Sequence, residues 1–176
     1  SNFLACRIIY HTKYMHNCFG YLCFFLAVSN FGVSSVFFLW AAIPVENEGV
    51  YSNALGKIVG QIAMLFLYGC EYSHLVISFN RLLHIAFPWK APRWFGRKTT
   101  ITLFVLIGSI SIAEIVPYFW SEECYLVYND TTSLWTFADT ECGRFCGFWF
   151  DFFTGVIILA CIFVMDSIAL FTLRHY

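Results

Sequence analysis

A chain of 176 residues that is 60% hydrophobic and only 12% charged is not an ordinary water-soluble domain, in which about 25% of residues carry charge. Its mean hydropathy of +0.69 makes lipid the more natural solvent. A net charge of −1 removes the case for nucleic-acid binding through bulk charge.

Residues 1–17 carry Arg7 and Lys13 and no acidic residue. Residues 18–43 then run without a single charge and stop at Pro44. A helix needs roughly 20 apolar residues to cross a hydrocarbon core, so this run is the first predicted span. Residues 44–57 form an acidic loop with Glu46 and Glu48 against one Lys57. The second span, 58–87, is apolar except for Glu71, His74, Asn80, Arg81 and His84. Residues 88–98 are basic, with Lys90, Arg93, Arg97 and Lys98. The third span, 99–120, is interrupted by Glu114 and Pro117. A long loop, 121–144, carries Glu122, Glu123, Asp130, Asp139 and Glu141 against Arg144. The fourth span, 145–173, holds Asp151 and Asp166 and is followed by Arg174.

Backbone polar groups in lipid must be satisfied within helices or a closed barrel, and no run shows the period-2 alternation of barrel strands. The expected fold is therefore all-α, a polytopic transmembrane bundle of four helices in one domain. Lysine and arginine in short loops favour the cytoplasmic side. Both termini and the loop 88–98 are therefore expected inside, and the two acidic loops outside.

Three of the eight cysteines, Cys124, Cys142 and Cys146, lie in or beside the long outer loop, where disulfides form. A Cys124–Cys142 bond would staple that loop. Cys146 remains the alternative partner, because spacing does not determine connectivity. Cys18, Cys23, Cys70 and Cys161 read as packed thiols within spans. Asn129, Asp130 and Thr131 form an N-glycosylation sequon in the same loop. No His/Cys spacing resembles a zinc site, and no cofactor or metal is expected. Catalytic motifs such as GxSxG or HExxH are absent, so no catalytic residue is assigned.

Arg81 is the feature that needs an explanation, since a charge in an apolar helix is costly. Near a helix end it can snorkel to the interface. Its surroundings suggest more. The segment from Gly60 to Thr100 resembles the third helix and second inner loop of seven-helix G-protein-coupled receptors. In the rhodopsin-like class an acidic-Arg-aromatic triplet precedes a proline by seven residues. Arg81 and Pro88 keep that spacing, while Asn80 and Leu82 replace the acidic and aromatic residues.

More narrowly, "GKIVGQ", "YSHLVISFNRLLHIAFP" and "WFGRKTT" resemble the nematode chemoreceptors called serpentine receptor class x. The likeness extends over nearly the whole chain, through "LAVSNFG" and the stretch from Asp151 to His175. It implies that the four spans are helices two to five of seven, leaving the first, sixth and seventh without counterparts here. It also implies a plasma-membrane chemosensory receptor, by extension ciliary, that detects a small odorant or pheromone-like molecule and signals to a heterotrimeric G protein. Asn80, Arg81, Pro88 and Lys90 would then serve coupling and switching. Glu71, His74, Glu114 and Tyr118 are the ligand-facing candidates, and Asp166 is a candidate partner for Arg81. The alternative is a non-signalling four-helix membrane protein, a degenerate receptor acting as scaffold or oligomerisation partner.

Departures accompany the likeness. Asn30 stands where an aspartate often serves sodium binding in rhodopsin-like receptors, and Gly56 stands where a cysteine usually ties helix three to the outer loop.

Overall fold

The computed structural model describes residues 2–41, 54–120, 123–129 and 134–175. Most of the loop 44–57, together with Asp130 and Thr131 of the sequon, lies outside the described residues. Helix α1 (Asn2–His11) leads through a short 3-10 turn (Lys13–Met15) into α2 (Cys18–Ala41). The long α3 (Ala54–Ala86) and short α4 (Ala91–Trp94) follow, then α5 (Arg97–Trp120). Strands β1 (Leu126–Asn129) and β2 (Leu134–Phe137) come next, then α6 (Glu141–Phe145), a π-helical stretch (Cys146–Phe153) and α7 (Thr154–His175). Among the described residues, four stretches are long and apolar enough to cross a membrane: Cys18–Trp40, Gly56–Ala86, Arg97–Tyr118 and Glu141–His175.

The sequence reading had neither the β1–β2 hairpin within the loop 121–144 nor helix α4 within the loop 88–98, and two further elements differ from it. Residues 2–11, expected within a basic inner segment, form a three-turn helix. It runs back along α2, with Phe3 and Phe31 rings 6.3 Å apart. Arg7 is its only Lys or Arg, so one exposed charge leaves the helix free to pack. The fourth span also begins earlier, at Glu141, because Thr140 caps it by accepting a 2.9 Å hydrogen bond from the Gly143 amide. A capped first turn satisfies amides that would otherwise lack partners.

Helix α3 is the axis of the bundle and packs against α2, α5 and α7. Small residues set how closely the α2–α3 pair can approach. A methyl at Gly32 would lie 2.6 Å from the Phe66 ring, and one at Gly69 would lie 3.0 Å from Ser29 Oγ. Two apolar clusters hold the bundle at its two ends. Cys18, Leu22, Ile77 and Ile107 pack at the end rich in lysine and arginine. Tyr68, Ile115, Tyr118, Cys124 and Cys146 pack at the other end.

The second cluster lies under an antiparallel hairpin with Leu126 opposite Phe137 and Tyr128 opposite Trp135. Trp135 donates a 3.4 Å hydrogen bond to the Gly56 carbonyl at the start of α3. Its ring also packs with Trp40, Phe37 and Tyr128. Lys57 Nζ lies 3.4 Å from the centre of the Tyr125 ring, a cation–π contact. A disulfide joins Cys124 to Cys142 across a Cα separation of 5.1 Å, tying the strand side of the hairpin to α6. Helix α7 buries only Ile158 and Ala169, so Leu159, Phe163, Leu170 and Phe171 present an exposed apolar face. Such a face is stable in lipid, where it costs no hydration.

Candidate functional site

Helix α3 carries polar side chains at two levels. At the hairpin level, Gln61, Tyr68 and Tyr72 are spaced seven and four residues apart. That spacing keeps them on one helical face, here the face toward α5. Gln61 donates a 2.7 Å hydrogen bond to the Tyr118 carbonyl. The hydroxyls of Tyr68 and Tyr118 lie 3.1 Å apart in a buried pair. Tyr72 donates to one oxygen of Glu114, while the second oxygen has no hydrogen-bond partner among the described residues.

Glu71 turns the other way, toward α7, with Oε1 3.8 Å from where a methyl on Gly155 would stand. Asp151 lies one turn before Gly155. Glu71, Glu114 and Asp151 are thus carried at this level by α3, α5 and the π-helical stretch, and none has an ion-pair partner among the described residues. The arrangement offers hydrogen-bond acceptors and negative charge to a polar or cationic group.

The Tyr72–Glu114 bond yields a direct expectation. Tyr72→Phe should lower the stability of the purified chain by about 1–3 kcal/mol, the penalty for stranding a shielded acceptor. Thermal unfolding in detergent reads it, and an unchanged transition would show that water replaces the phenol.

At the basic level, Arg81 Nη1 donates to Asp166 Oδ1 at 3.3 Å, joining α3 to α7. Arg81 is half exposed there, so its charge is not sealed in the bundle. Neighbouring Asn80 is 2% exposed, and its Nδ2 has no partner. His84 Nδ1 lies 2.9 Å from the Asn80 carbonyl. Asn80, Arg81 and His84, with Asn17, Pro92 and Phe95, line a cleft of about 480 Å³. Helix α3 ends two residues before Pro88, which cannot continue it. Pro88 and Lys90 are both exposed in the turn that follows.

The predicted site residues therefore fall into separate groups. Glu71, Glu114 and Tyr118 gather at the hairpin level, whereas His74, one turn on from Glu71, is exposed. Cys124 and Cys142 lie above that group. Sequence reasoning did not single out Gln61, Tyr68 or Tyr72 for the site. Their seven- and four-residue spacing was the available signal. It was masked by the many tyrosines that serve only as packing.

The family described as serpentine type 7TM GPCR chemoreceptor Srx matches residues 1–176. The chain belongs to that family. No curated protein sequence matches it. Among solved structures, this Srx chain is similar to squid rhodopsin, with a TM-score of 0.76 and 16% identity. The match covers 99% of the chain and 48% of that rhodopsin, so the chain spans about half the length of the structure it matches. Identity this low speaks for the fold alone. The Srx chain is thus an integral membrane protein with a rhodopsin-like helical arrangement, from a family of receptors rather than of enzymes.

Proposed function

We propose that this Srx chain is the central part of a plasma-membrane chemoreceptor that binds a small environmental molecule and signals to a heterotrimeric G protein. The observation that carries the reading is the Arg81–Asp166 pair, which links α3 to α7 beside an open cleft at the basic end. Lysines and arginines concentrate at that end, so the positive-inside tendency places it in the cytoplasm. The pair then acts as a latch between two helices, in a position where a G protein can reach Arg81. Lys90 and the turn at Pro88 border the same surface.

The hairpin end then faces outside, which suits both the disulfide and glycosylation at Asn129. The ligand approaches beneath the hairpin, where Glu71, Glu114 and Tyr118 supply polar contacts. The carboxylates favour a ligand with a hydrogen-bond donor or positive charge.

The test uses the whole receptor that contains this chain, expressed with a G protein and challenged with a panel of small odorants. Responses should appear for at least one compound and vanish in Arg81→Ala at equal surface expression. Undiminished responses in Arg81→Ala would overturn the assignment of Arg81.

A further inference from the structure

We infer that Cys124 is bonded from either of two positions on the helix that follows the hairpin, Cys142 or Cys146, by internal thiol–disulfide exchange. In the structure Cys124 is bonded to Cys142, but the sulfurs of Cys124, Cys142 and Cys146 all lie within 4.8 Å of one another. Cys142 and Cys146 are four residues apart on one continuous helical path, so they stand one turn apart on the same face. Cys124 approaches that face from the hairpin and meets both.

The surroundings keep the chemistry internal. Cys124 and Cys146 are each 2% exposed and share one apolar cluster with Ile115, Tyr68 and Tyr118. Burial shields Cys124 and Cys146 from external thiols, whereas each lies within reach of the neighbouring cysteine. In the step, the Cys146 thiolate attacks Cys124 Sγ. The Cys124–Cys146 bond forms as the Cys124–Cys142 bond breaks. The bonding pair leaves on the Cys142 sulfur, which takes the proton that Cys146 gave up. One disulfide and one thiol enter and leave, so no oxidant or reductant is consumed.

Attack on the other sulfur is disfavoured by geometry. It would join Cys142 to Cys146, whose Cβ atoms, four apart on a helix, stand about 5–6 Å apart. A disulfide needs roughly 3.5–4.5 Å between them. Cys124 is therefore common to both isomers.

Moving the bond by one turn shifts its anchor on the helix about 5.4 Å toward the membrane interior, while Cys124 Sγ, already within 4.8 Å of Cys146 Sγ, moves less. Two features can carry that shift. The π-helical stretch begins at Cys146, and π-helical winding, rare overall, is frequent at functional sites. Phe137 of β2 packs on Gly147, its ring 2.7 Å from where a methyl there would stand, and on the Tyr118 ring at 5.9 Å. A hairpin drawn along α6 therefore presses on the Tyr68–Tyr118 pair beneath it.

Trypsin distinguishes the isomers, since the chain from Thr99 to Arg144 contains no other lysine or arginine. A Cys124–Cys142 bond stays within the peptide 99–144. A Cys124–Cys146 bond links that peptide to 145–174. The full receptor in membranes is trapped with an acid-active alkylating agent, digested without reductant and analysed by mass spectrometry. Cys142→Ser should shift the product to linked peptides that separate on reduction. Unlinked peptides with both Cys124 and Cys146 alkylated would overturn the inference. If Cys142→Ser does not reach the membrane, the unaltered receptor is held at mildly alkaline pH before trapping. A rising share of linked peptides supports exchange, and unlinked peptides throughout overturn it. Neither arm depends on ligand or G protein, so failure here leaves the receptor reading standing.

Discussion

Asp166→Asn raises the basal signalling of the full receptor about two- to fivefold, the range set by an ion pair worth ~0.5–1 kcal/mol. Both partners are partly exposed, Arg81 by 50% and Asp166 by 34%, so the pair belongs with surface bridges rather than buried ones. Its effect on signalling follows from what it joins. A contact present in one arrangement of α3 and α7 and absent in another biases their equilibrium by its own free energy. Losing it shifts the population by the corresponding Boltzmann factor. Asparagine keeps the size of the side chain and removes the charge, so packing is preserved.

Nucleotide exchange on the G protein without added ligand is the readout, normalised to surface expression. Arg81→Ala is not expected to mimic the result, because it removes the proposed latch and the proposed coupling residue together. Basal exchange unchanged in Asp166→Asn, with normal expression, would show that the contact does not restrain the bundle.

A larger structural effect is expected at Gly143. A methyl there would stand 2.1 Å from the Ala138 carbonyl oxygen and 3.1 Å from Thr140 Oγ1. Both neighbours are committed. Ala138 accepts from the Thr140 amide at 2.8 Å, and the Thr140 hydroxyl caps the Gly143 amide. Thr140 Oγ1 also donates to the Glu123 carbonyl beside Cys124. Backbone this constrained cannot yield the ångström that a methyl requires.

Gly143→Ala should therefore cost at least ~2 kcal/mol, within the usual range for forced overpacking. It should loosen the hairpin and lower the melting temperature in detergent. Gly108→Ala is the matching control. Nothing lies within 4 Å of a methyl at that position, and alanine is the better helix former by about 1 kcal/mol. Wild-type stability in Gly143→Ala would refute the clash.

The legibility of the chain in its sequence differed from element to element. The spans were legible because each is a local property, a run of residues too apolar for water and too long for a core helix. Helix α1 was not, because ten residues with one arginine resemble a loop until α2 is there to pack against. The early start of the fourth span depended on the Thr140 cap, a hydroxyl's choice of amide that composition does not express.

The site divides the same way. Arg81 stood out by its cost in an apolar helix and by its distance from Pro88. Its contact with Asp166 spans 85 positions, and the Tyr72–Glu114 bond spans 42. The sequence by itself determined that this is a membrane chain of four spans, what charge lies at each end of them, and membership of a receptor family. Tertiary structure decided which polar groups meet, that Cys124 bonds Cys142 with Cys146 close by, and that His74 is exposed whereas Glu71 is half-buried. Solvent preference is summed along the chain, whereas hydrogen bonds, ion pairs and disulfides act over a few ångströms and exist only once helices are packed.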